Sequence, residues 1–66
     1  MEKRIKTYLI EEYLKEKNLT KKEFCRLCKM SYPTLQKVLK QDYTVRIGAI
    51  FKIAKQMNLY ITDLLG

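Results

Sequence analysis

Two helix-start signals only eleven residues apart constrain the fold of this chain more than any other feature. The first is Thr20-Lys21-Lys22-Glu23, which reads as a capping box. In that motif the Thr20 hydroxyl accepts from the backbone N–H of residue 23, and the Glu23 carboxylate reaches back to the N–H of residue 20. The second signal is Ser31-Tyr32-Pro33-Thr34. Ser31 is a good N-cap, and proline in the first helical turn forfeits no hydrogen bond, because those N–H groups have no intrahelical partner. A helix beginning after Thr20 therefore has room for about nine residues before the chain must turn and start again. Leu19 before the cap and Phe24 four places into the helix suit a hydrophobic staple, which would fix the angle at which the chain enters.

Helices are expected on both sides of this tight pair. Ile5, Leu9, Ile10, Tyr13 and Leu14 recur at helical spacing and predict a first helix from Arg4 to Lys17, stopped at Asn18, a residue that tolerates the left-handed C-cap conformation. The third helix should run from about Tyr32 to Lys40, followed by a polar link of Gln41, Asp42, Tyr43 and Thr44. Ile47, Ile50, Phe51, Ile53, Ala54 and Met57 mark a fourth helix ending near Asn58. Thr62-Asp63-Leu64-Leu65 reads as one last helical turn beside Ile61, with Gly66 after it. Neither repeats nor linkers interrupt the pattern.

Composition narrows what such an all-α chain can do. With 66 residues it has room for one domain and no separate effector-binding unit. Apolar residues at 47% are too many for a disordered basic tail. Histidine is absent, which removes the usual general base, and no nucleophile and base can be paired, so no enzyme and no cofactor is expected. No apolar run approaches the roughly 20 residues of a membrane span, and the opening MEKRIK is not followed by a signal-peptide core. A cytoplasmic protein is expected, with neither membrane nor small-molecule ligand. The formal net charge of +7 calls for a polyanionic partner.

The third helix divides into two faces. Leu35, Val38 and Leu39 share one side and belong to the core, whereas Pro33, Gln36, Lys37 and Lys40 form a polar stripe at i, i+3, i+4 and i+7 on the other. Such a stripe on an isolated helix is ordinarily a solvated face. Here the segment from Lys21 to Lys40 carries Lys21, Lys22, Arg26, Lys29, Lys37 and Lys40 against Glu23 alone. Most of the surplus charge is thus concentrated around the two short helices.

At these residues the chain resembles a known family. The stretch LTKKEFCRLCKMSYPTLQKVL is similar to the helix-turn-helix of the Cro and phage-repressor type, the XRE family, whose pattern reads L-T-Q-x-E-L-A-x-x-x-G-V-S-x-x-T-I-x-x-x. Leu19, Thr20, Glu23, Ser31 and Thr34 match, while Phe24, Cys25, Met30 and Leu35 replace residues of related character. The likeness continues through IFKIAKQMNLYITDLL and covers roughly residues 5 to 65. Two departures stand out. Lys29 occupies the turn position where the family favours glycine, at a cost of about 1 kcal/mol if the geometry is left-handed. Lys21 stands where the family has a phosphate-contacting glutamine.

The resemblance implies a five-helix, lambda-repressor-like domain over residues 1–66, with the helix-turn-helix at about 20–40. It implies a sequence-specific transcriptional regulator, a repressor, that holds pseudo-palindromic double-stranded DNA as a homodimer. In the family's docking mode the third helix enters the major groove and the second crosses the backbone. Carried over by position, Tyr32, Pro33, Gln36 and Lys37 would face the bases. Lys37 can donate to guanine, Gln36 can read adenine and Pro33 can offer an apolar contact, while Tyr32 is divided between core and contact. Phosphates would be held by Thr20, Lys21, Ser31, Thr34, Lys40, Thr44 and Arg46. Family members commonly pair near the last helix, here around Leu59, Ile61, Leu64 and Leu65.

Other groups have plainer readings. Lys3, Arg4 and Lys6 are either an arm that attracts DNA nonspecifically or a solvated end. Cys25 and Cys28 share the face of Phe24 and are read as core, since a redox pair would start a helix rather than lie within one. Two cysteines without histidine cannot complete a zinc site in one chain. The alternative function is a protein-interaction module, or an antitoxin-like partner protein, on the same scaffold with weak or no DNA binding.

Overall fold

The computed structural model describes residues 5–42 and 44–65. Met1–Arg4, Tyr43 and Gly66 lie outside this range, and with them the expected roles of Lys3 and Arg4 and parts of the polar link and C-terminus. Among the described residues five helices follow one another: α1 (Thr7–Lys17), α2 (Lys21–Cys28), α3 (Tyr32–Leu39), α4 (Ile47–Gln56) and α5 (Ile61–Leu64). The all-α, five-helix architecture expected from the sequence is present.

Each of the first four helices closes with the same hydrogen-bonding device. The residues just past them, Asn18, Lys29, Gln41 and Asn58, adopt φ of 56°, 57°, 57° and 60°. The following N–H then reaches back five positions, as from Leu19 to the Leu14 carbonyl at 2.9 Å and from Met30 to the Cys25 carbonyl at 3.0 Å. Two carbonyls that a helix end would leave bare are thereby satisfied each time. The family's turn geometry is therefore adopted at Lys29 without glycine, with backbone strain of about 1 kcal/mol.

The core is built from one stripe of each helix. Ile10, Phe24, Leu35, Val38, Ile53 and Leu64 are fully buried, and each contributes roughly 1.5–3 kcal/mol relative to exposure. α2 packs on α3 and α4, α3 on α4, and α5 on α4. The Tyr13 and Phe24 rings meet with centroids 5.7 Å apart at a tilt of 59° and lock α1 onto α2. Cys25 and Cys28 are buried, unpaired core residues, and Leu19 packs against the same cluster. Leu27, on the far side of α2, is 47% exposed.

Two boundaries differ from expectation. α1 begins at Thr7 rather than Arg4, because Ile5 forms an antiparallel bridge with Leu65 and the Lys6 N–H donates to the Leu64 carbonyl at 2.6 Å. The same bridge holds Leu65 extended at φ −91°, ψ 136°, so the last turn takes in Ile61 and ends at Leu64 rather than running from Thr62 to Leu65. The Ile5 N–H donates to Gln41 Oε1 at 3.0 Å, tying the first described residue to the end of α3. Among the described residues, no helix is long and apolar enough to cross a membrane.

Candidate nucleic-acid interface

The start of α2 is held by its own side chains. Thr20 is extended at φ −82°, ψ 163°, its Oγ1 accepts from the Glu23 N–H at 3.1 Å, and Glu23 Oε1 accepts from the Thr20 N–H at 2.8 Å. The Thr20 N–H, with its hydroxyl second, holds the Glu23 carboxyl below its usual value. This cap fixes the direction of α2, and Lys29 then sends the chain directly into Ser31.

Ser31 caps α3 in the same manner. Its Oγ accepts from the Thr34 N–H at 3.4 Å, and the Ser31 and Thr34 hydroxyls lie 2.8 Å apart. The Cys25 thiol donates weakly to the Ser31 carbonyl at 3.8 Å, adding a link across the turn. Burial pushes the Cys25 thiol up, and pushes that of Cys28 up to about 11 with a further contribution from Cys25. Both are therefore neutral, poorly nucleophilic thiols near pH 7.

α3 turns Leu35 and Val38 inward and leaves Pro33, Lys37 and Lys40 exposed, with Gln36 half-buried between them. Tyr32 is 37% exposed, and its hydroxyl accepts from Gln36 Nε2 at 2.8 Å. The four residues expected to face bases thus lie on or beside one outward stripe, with the first and third joined to each other.

Beside this stripe the starts of α3 and α4 enclose an open cleft of about 510 Å³. Ser31, Thr34, Lys37, Thr44, Arg46, Gly48 and Lys52 line it together with Met30, Val45 and Ala49. It brings together four of the expected phosphate contacts and the expected base reader Lys37. Thr20, Lys21 and Lys40 are not among its walls.

Polar groups in the cleft divide into structural and available ones. Asp42 Oδ1 accepts from both the Thr44 N–H at 2.8 Å and the Thr44 hydroxyl at 2.7 Å, and the first of these bonds is the main cause holding its carboxyl below the usual value. Thr44 accordingly spends both donors on shaping the link. Arg46 is exposed at the N-cap position of α4 and makes no side-chain cap bond; the Ala49 N–H reaches the Arg46 carbonyl at 3.0 Å, and the Ile47 and Gly48 N–H groups have no partner among the described residues. A Cβ placed on Gly48 would meet nothing within 4 Å, which leaves that wall open to close approach.

Lys52 is the residue that sequence reasoning missed. Once Ile50, Ile53 and Ala54 are taken as the buried stripe of α4, helical spacing puts Lys52 on the same flank as Ala49, facing α3. That signal was available but has meaning only when α4 is known to lie beside α3.

Three cations, two hydroxyl groups outside the Asp42 bridge and an uncapped helix start make an anion-receptive cleft next to a polar recognition stripe. The class defined by this arrangement is a helix-turn-helix, formed by α2 and α3. A model of the Cro/C1-type helix-turn-helix DNA-binding domain matches residues 10–66, and the chain belongs to that family. DNA is therefore its partner class. No curated protein and no solved structure matches the chain.

Proposed function

We propose that this protein is a sequence-specific repressor that works in the cytoplasm, lays α3 in the major groove of double-stranded DNA and seats a backbone phosphate in the cleft between α3 and α4. The observation that carries this reading is the continuity of the two surfaces. Lys37 belongs both to the outward stripe of α3 and to the cationic cleft. A base-reading helix and a phosphate seat are thereby held in one rigid frame, which is how positioning and reading contacts divide their work.

Pairing into a homodimer would supply the affinity that one small module lacks and would match a pseudo-palindromic operator. The pairing surface expected from the sequence needs adjustment. Leu64 is fully buried in its own core, whereas Ile47 at 58% exposed, Phe51 at 61% and Tyr60 at 80% offer apolar surface on α4 and ahead of α5. The same surface would serve the interaction-module reading with a different protein as occupant.

A salt titration on mixed-sequence duplex DNA tests the main proposal. Log K should fall with log salt at roughly 0.9 per phosphate contacted. Lys37→Ala should relax preference at one base position by about 1–3 kcal/mol, and Lys21→Ala should weaken all sequences alike. Absence of duplex binding at low salt would leave the interaction module as the better account.

A further inference from the structure

Tyr32 and Gln36 lie one turn apart on the exposed side of α3, and the Gln36 amide nitrogen donates to the Tyr32 phenol oxygen at 2.8 Å. An i, i+4 pair of this kind is well placed to restrain both side chains. A free glutamine carboxamide turns readily about its last torsion, which has a broad, two-fold profile, so its oxygen and nitrogen exchange places easily. The bond to the phenol ties the carboxamide to the Tyr32 ring and restricts that rotation. With its nitrogen turned to the phenol oxygen, the Gln36 oxygen and its second N–H are left without a partner among the described residues.

We propose that Tyr32 is a positioning residue that sets the Gln36 carboxamide for adenine, so that the pair, rather than either residue alone, specifies one base of the operator. The inference rests on the proposed major-groove binding of α3. Adenine presents N7 as an acceptor and its N6 amino group as a donor, matching one N–H and one carbonyl oxygen side by side. Guanine presents two acceptors on the same edge, and a carboxamide with its nitrogen on the phenol offers only one donor to them. Tyr32 is well suited to this task because it is only partly exposed at the start of α3 while its bond to Gln36 lies at the surface. Its own O–H remains free to donate without disturbing the bond it accepts.

The test compares the unaltered chain with Tyr32→Phe, Gln36→Ala and the double variant. Duplexes selected from a random pool by the unaltered chain are re-measured with each base at each half-site position. Gln36→Ala should lose preference for adenine at one position by about 5- to 150-fold. Tyr32→Phe should reduce the preference at that same position by about 2- to 10-fold. In the Gln36→Ala background, Tyr32→Phe should change nothing further.

Three results overturn the proposal: no adenine preference that depends on Gln36, no effect of Tyr32→Phe on it, or an effect that persists without Gln36. The last would make Tyr32 a direct DNA contact. Thermal melting of Tyr32→Phe separates a loss of fold from a loss of reading, and Tyr32→His, which restores a polar ring atom, supplies a second variant should the first unfold. If the unaltered chain binds no duplex at all, the DNA reading itself fails and this inference with it; if it binds without these patterns, only the Tyr32–Gln36 assignment falls.

Discussion

Helices α2 and α4 start from nearly the same backbone geometry, with Thr20 at φ −82°, ψ 163° and Arg46 at φ −85°, ψ 147°. Their chemistry is opposite. Thr20 and Glu23 satisfy the α2 start from within and put a carboxylate against its positive end, whereas Arg46 makes no cap bond and puts a cation there. A missing N-cap costs roughly 0.5–2 kcal/mol, and a cation at that end adds repulsion from the helix dipole. A domain this small has little stability to spare. The contrast teaches that the α2 start is a structural joint, while the α4 start is left unsatisfied where an outside anion can complete it.

The sharpest way to break the contrast is Arg46→Asp, which converts the α4 start into a copy of the α2 start. Aspartate at an extended N-cap should stabilise the fold by about 1 kcal/mol and raise the melting midpoint by roughly 4–8 °C. Duplex affinity should move the other way, falling more than about tenfold at low salt as an anion replaces a cation beside Lys37 and Lys52. Melting curves and anisotropy titrations on the same preparation read both effects. Undiminished affinity would remove the cleft from the DNA interface.

Thr20→Ala examines the other side. Losing the cap should cost about 1 kcal/mol of stability while leaving duplex affinity unaltered. A drop in affinity for all duplexes alike, with the salt slope unchanged because a hydroxyl carries no charge, would show instead that Thr20 holds a phosphate, the role that its position in the family pattern implies. Lys21, next to it on α2, serves as the comparison because its removal is expected to lower the slope without lowering stability.

Local chemistry carried most of the fold into the sequence, and long-range chemistry carried little. The caps at Thr20 and Ser31 and the stripes through Leu35, Val38, Ile50 and Ile53 rest on neighbours within one or two turns, and all are present as expected. The start of α1 was misplaced because Ile5 is held by Leu65 and Gln41, partners that no local period reveals. Arg46 and Thr44 were reached through the family pattern, but Lys52 depends on how α4 lies against α3. The Asp42 bridge that occupies Thr44 is local, two residues apart, and reading the segment only as a polar link passed over it.

The Lys29 turn was legible as a departure and kept its shape, and this gives a smaller prediction. Lys29→Gly relieves a left-handed residue at a site where glycine is at ease, set against the greater freedom glycine has when unfolded. The net gain should be about 0.5 kcal/mol, visible as a small upward shift in the melting midpoint. A loss of stability would mean that the Lys29 side chain makes a contribution larger than the backbone strain it brings.

Acid should separate the two helix starts at the level of single residues, with the smallest effect of the set. The Glu23 carboxyl lies below its usual value because the Thr20 N–H and hydroxyl bind its charged form. A carboxyl depressed by folding adds stability above its unfolded pKa, and that contribution disappears as pH falls through the lower, folded value. The loss therefore begins below about pH 4.5 and completes at more acid pH. Asp42 follows the same sign in its own acid range, through its bonds from Thr44. In amide-resolved titrations the Thr20 N–H should follow Glu23 and the Thr44 N–H should follow Asp42, whereas Ile47 and Gly48 at the carboxylate-free start of α4 should show no matching step. Glu23→Gln should abolish the Thr20 step alone. A titration of Gly48 in the same range would place a carboxylate at the α4 start and erase the difference between the two helices.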